Sequence, residues 1–135
     1  MKIYAFRLTE GSDLKQEIIR FGKENNIRAG FIITCVAGLK RATLRMADDS
    51  IIKDFEEKFE VVSLVGTISK KDVHLHICLS DKDGKCIGGH VKDRCIVATT
   101  AEIIIGESED HVFLREFDEK TGFDELIVKK PVSVP

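Results

Sequence analysis

After a single stretch of helical periodicity, the chain returns again and again to one pattern. Short β-branched runs alternate apolar and polar residues and are separated by polar turns. Such runs cover Ala29 to Ala37, Ala42 to Met46, Ile51 to Asp54, Lys58 to Ser69, Val73 to Ser80, Cys86 to Val91, Ile96 to Ile105 and Val112 to Phe117. Period-two runs at this spacing predict hairpins and a largely antiparallel sheet. Lys2 to Leu8 reads as a further strand, placing Tyr4, Phe6 and Leu8 on one face.

The one helix follows that strand. Asp13 with Gln16 three residues on has the form of a capping box, and Leu14, Ile18, Phe21 and Gly22 fall on one helical stripe. Asn25-Asn26, which tolerate the left-handed conformation, end it. One main helix after the first strand of a largely antiparallel sheet makes the class α+β. A single helix cannot cover both faces of so much sheet, so a second layer or a partner subunit must cover the rest.

Length and composition bound the function. With 135 residues, 43% of them hydrophobic, residues 1–130 are expected to form one domain. A chain of this size buries roughly two-thirds of its unfolded surface and needs no staple. Residues 131–135, with prolines at both ends, are expected to fray. No apolar run is long enough to span a bilayer, and the N-terminal residues lack the pattern of a signal peptide, so a cytoplasmic protein without membrane contact is expected. Twenty-one basic and 23 acidic residues give a net charge of −2, with no basic cluster beyond short pairs such as Lys40-Arg41 and Lys70-Lys71. Strong nucleic-acid binding, which relies on clustered cations, is not expected.

The chemistry concentrates in one predicted hairpin. Val73-His74-Leu75-His76-Ile77-Cys78-Leu79-Ser80 leads through Asp81-Lys82-Asp83-Gly84-Lys85 into Cys86-Ile87-Gly88-Gly89-His90-Val91. Lys82-Asp83-Gly84 suits a three-residue loop whose last residue takes positive φ. If Asp81 faces Lys85, then Ser80 faces Cys86, Cys78 faces Gly88 and His76 faces His90. His74, two residues from His76, projects from the same side. Directly opposed Cβ atoms lie about 5 Å apart and diagonal ones about 7 Å, so three imidazoles can converge on one divalent ion. Leu75, Ile77, Leu79, Ile87 and Val91 fall on the opposite, core-forming face. The competing reading is a polar pocket without a metal.

Other residues on or near this face carry alternatives. Gly88 and Gly89 mark a close backbone approach, by a ligand beside the metal or by another subunit. Cys78 and Cys86 are diagonal neighbours on the histidine face, as soft ligands, as a redox pair or as small packing residues. Glu102 interrupts an apolar strand and is a candidate general base if it reaches the histidines; otherwise it sits at an edge or pairs with a lysine. His111, after an acidic turn, reads as surface.

These residues resemble the PPC ("plants and prokaryotes conserved") domain, a domain family of unknown function. The resemblance rests on Gly30-Phe31, Gly38, Phe59-Glu60-Val61-Val62-Ser63-Leu64-Val65-Gly66, His74-Leu75-His76, Asp81-Lys82-Asp83-Gly84, Gly88-Gly89-His90 and Thr100-Ala101-Glu102-Ile103. It covers roughly residues 3 to 120 and implies an antiparallel α+β domain that assembles as a homotrimer. In plants the domain follows an AT-hook, an Arg-Gly-Arg-Pro minor-groove motif, which this sequence lacks. The chain looks like the stand-alone prokaryotic members, in which three histidines imply a zinc site near a subunit boundary.

Three functions follow. The first is a trimeric binding module holding zinc or another divalent metal with His74, His76 and His90, with room for a small-molecule ligand. The second is a hydrolase-like enzyme using metal-bound water, with Glu102 as base. The third is a DNA-associated regulator, by family analogy alone.

Overall fold

The computed structural model describes residues 1–132, so most of the expected tail, residues 133–135, lies outside the described part. The elements run β1 (Lys2–Thr9), α1 (Leu14–Glu24), β2 (Gly30–Arg45), β3 (Ile52–Phe55), β4 (Phe59–Ile68), β5 (Val73–Ser80), β6 (Cys86–Val91), β7 (Ile96–Glu107), β8 (Val112–Asp118) and β9 (Phe123–Lys129). Seven strands form one sheet in the order β1-β7-β2-β4-β5-β6, with β3 alongside β2. β8 and β9 form a separate hairpin. Every pairing is antiparallel. The α+β class read from the sequence is the observed one.

The far end of β2 also pairs with β6, Leu44 opposite Val91 and Arg45 opposite His90. β2, β4, β5 and β6 therefore close a ring, and the sheet supplies much of the second layer that one helix could not. With 16 residues, β2 is long enough to pair with four strands, β3, β4, β6 and β7. Its register against β7 shifts at Ile32/Thr34, Ala37/Gly38 and Leu39/Arg41, and each irregularity adds local twist. The sequence reading splits this strand into two runs; the structure carries it unbroken through Gly38-Leu39-Lys40-Arg41. The reading also passes over β9, which pairs all seven of its residues with β8 across a turn ending at Gly122.

Inside the ring, Leu39, Leu44, Phe59, Leu64, Leu75, Leu79 and Val91 are buried. α1 covers an open part of the same inner face, burying Leu14 and Ile18 completely. Phe21 stacks on Phe6 at 4.0 Å between ring centres. Asp13 caps α1 by accepting from Gln16 N–H at 3.0 Å. The Gln16 side chain does not close the box; it donates instead to Asp93 Oδ1 at 2.7 Å, tying the helix start to the β6–β7 loop. Beyond the helix, Asn26 adopts a φ of 58°, the left-handed turn its short amide side chain tolerates.

The outer face of the sheet is less covered. Val36, Val62 and Val65 stand 58–60% exposed on it, and Val65 is the direct cross-strand neighbour of His76. No described helix is long and apolar enough to cross a membrane.

Candidate metal centre

The turn between β5 and β6 sets the geometry of the centre. Asp81 N–H donates to Lys85 O at 2.8 Å and Gly84 N–H to Asp81 O at 3.0 Å. The Asp81 carboxylate accepts from the N–H groups of Asp83 and Lys85, both at 2.9 Å. Gly84 has a φ of +82°, the conformation that a side chain would oppose. With the turn closed this way, Ser80 stands opposite Cys86, Cys78 opposite Gly88 and His76 opposite His90, as counted from the sequence.

The three histidines meet on the outer face. Ring centres lie 4.9 Å apart for His74–His76, 5.1 Å for His74–His90 and 5.5 Å for His76–His90. His74 Nε2 and His76 Nε2 are 3.2 Å apart, and one nitrogen of each ring lies within 4.8 Å of the others. Two nitrogens on a tetrahedral zinc ion, each about 2.0–2.1 Å from it, stand about 3.3 Å apart. The first pair already has that spacing, and a nitrogen of the third ring lies within 4.8 Å of both.

The local electrostatics suit ligation. Burial, then the Arg45 guanidinium and the other two imidazoles, push His90 down to about 4. Burial, then His76, lower His74 as well. These two rings are thus neutral at pH 7, the form a metal requires. His90 Nδ1 is buried with no hydrogen-bond partner in the protein, a costly state for a polar atom unless something else satisfies it. The donor set and this orphaned atom fit a divalent cation.

A cavity of about 280 Å³ opens beside His76 and His90, with Gly88 and Gly89 in its wall. The backbone approach at these glycines is between strands of this chain. A Cβ on Gly88 would lie 2.6 Å from Ile77 O, and one on Gly89 2.7 Å from Arg45 O.

The remaining candidates are placed as follows. Glu102 is exposed on β7, between Arg7 and Val36. β2 and β4 stand between β7 and β5 in the strand order, which puts Glu102 three strand spacings, about 14 Å, from the strand of His74 and His76. Glu102, read from the sequence as a candidate base, stands outside the three-imidazole group. Cys78 and Cys86 share the histidine face but stand outside the three-imidazole group. Burial, then a hydrogen bond with Cys86, raise Cys78. Cys35 and Cys95 are core thiols pushed up to about 11 by burial. His111 pairs with Ser108 Oγ at 2.7 Å on the surface.

Sequence reasoning passed over Arg45, which the β2–β6 pairing brings opposite His90. It also passed over Arg115 on β8, which donates to Thr67 Oγ1 at 2.9 Å beside His74. No local sequence signal connects either residue to the hairpin.

The antiparallel sheet with one helix after its first strand is an α+β fold, and the chain's sequence and structure place it among known proteins of that fold. Residues 1–109 match the Plants and Prokaryotes Conserved (PCC) domain, and the chain belongs to that family. The bifunctional protein GlmU of Synechococcus sp. (strain JA-3-3Ab) is 38% identical over 130 residues, 96% of this chain. The chain spans 21% of the length of that relative. A hypothetical protein from Salmonella cholerae-suis has a similar structure with a TM-score of 0.93 at 34% identity, covering 97% of this chain and 95% of that one. A metal-containing protein from Archaeoglobus fulgidus is similar at a TM-score of 0.77 and 27% identity, over 94% of each chain.

Proposed function

We propose that this chain is a metal-binding module that holds one zinc ion with the imidazoles of His74, His76 and His90. The convergence of three ring nitrogens within 4.8 Å carries the reading. The similar protein from Archaeoglobus fulgidus, described as metal-containing, supports it. When bound, zinc would supply a Lewis acid with a position left open by three protein ligands. The chain's own contribution is to hold the rings neutral, to fix their spacing through the Asp81–Lys85 turn and to leave a cavity beside them.

The module assembles as a cytoplasmic homotrimer in this reading. Exposed Val36, Val62 and Val65, on the sheet face that carries the histidines, give a partner subunit an apolar surface to cover. The hydrolase reading has less support, since Glu102 lies on β7, with β2 and β4 between it and the strand of His74 and His76. The DNA-regulator reading has no basic cluster to draw on, with a net charge of −2.

Metal analysis of tag-free protein tests the proposal. One zinc per chain is expected in the parent protein and loss of tight binding in His76→Ala and His90→Ala. Parent-like zinc binding in both variants refutes the site.

A further inference from the structure

The cavity beside the histidines has a floor without side chains at Gly88 and Gly89, an apolar wall at Met46 and a cation at Arg45. Arg45 stands opposite His90 across β2–β6 and so shares the face of the imidazoles. Its guanidinium lies over the Phe123 ring of β9, 5.9 Å from the ring centre, a cation–π contact that holds it in place. Among the described residues no carboxylate pairs with it. An unpaired arginine at a cavity is a planar fork of donors matched to carboxylate and phosphate oxygens. The volume, about 280 Å³, lies just below the range of drug-sized ligand pockets, about 300–1,000 Å³, and suits a smaller molecule.

We propose that this cavity binds a small organic oxyanion, a carboxylate or phosphate monoester, with its charged end at the Arg45 guanidinium and its body against Met46 and the Gly88-Gly89 backbone. The inference deepens the metal reading and rests on it for the second positive charge beside His76 and His90. Arg45 supplies the first by itself. Glu125, near His74, is the acidic group that opposes it on the hairpin side.

Cobalt(II)-loaded protein, titrated separately with acetate and methyl phosphate, tests the inference. The cobalt absorption bands report a change around the ion, and calorimetry on metal-free protein reports Arg45 alone. We expect at least one probe to bind with a dissociation constant of about 1 mM and to shift the bands; which probe binds identifies the oxyanion. Arg45→Gln should weaken that binding at least tenfold with unchanged cobalt stoichiometry, while Arg45→Lys keeps part of it. Circular dichroism of both variants guards against lost folding. Full cobalt loading with neither probe bound, or parent-like anion binding in Arg45→Gln, overturns this inference and leaves the metal reading standing. Failure to take up cobalt overturns the metal reading instead. Calorimetry then decides: Arg45-dependent anion binding supports the pocket, and no heat with either probe overturns it.

Discussion

His76 and His90 face each other across the β5–β6 ladder with ring centres 5.5 Å apart, while the residues between them in sequence turn back through Asp81–Lys85. Side chains of a strand alternate between faces, so this pairing also places Leu75, Ile77 and Leu79 in the core. The histidine cluster and the core are thus two sides of one register.

Removing either facing ring should abolish tight zinc binding and leave the fold intact. Loss of an outer-shell partner already costs metal sites about 10–100-fold, and loss of one ligand of three should cost more. His76→Ala and His90→Ala, compared by zinc titration and thermal unfolding, should show lost affinity with metal-free midpoints close to that of the metal-free parent. Global unfolding of both would assign the rings to the structural core.

The core side should respond in the opposite way. Leu79 is fully buried between Val61 and Ile87. Leu79→Ala should cost about 2–5 kcal/mol, the lost transfer energy plus a cavity, measured by urea unfolding. The fraction that remains folded should still bind one zinc per chain.

Metal-free protein should lose stability as the pH falls from about 6.5 towards 4. An unfolded histidine takes its proton near 6.5, whereas folded His90 does so only at about 4. Between these values the unfolded state binds more protons, so stability rises with pH across this window and is complete above it. His90→Gln, neutral throughout, should flatten the slope of the unfolding midpoint against pH. An unchanged slope would remove His90 as its source.

The proposed homotrimer predicts the mass in solution. Light scattering at micromolar concentration should give three times the chain mass of 15.1 kDa. Val36→Asp should dissociate the trimer by placing a carboxylate in the covered surface, next to Glu102. A parent protein of monomer mass would contradict the trimer.

Duplex DNA should bind weakly and be released by moderate salt, because the chain has a net charge of −2 and no cluster of cations to neutralise phosphates. Fluorescence anisotropy at two salt concentrations measures this. Nanomolar, sequence-specific binding in physiological salt would restore the regulator reading.

Local signals settled the α+β class, the Asp13 cap, the left-handed Asn26 and the opposition of His76 and His90. Each depends on residues a few positions apart, or on a turn whose length sets the register that follows it. Folding in three dimensions settled the continuity of β2, the β8–β9 pairing, the placing of β2 and β4 between Glu102 and β5, and the arrival of Arg45 opposite His90. These depend on which strands pair across long separations and on how far β2 bends through its bulges. Burial of the ring's interior side chains decides both, and alternation along any one strand carries no record of its distant neighbour.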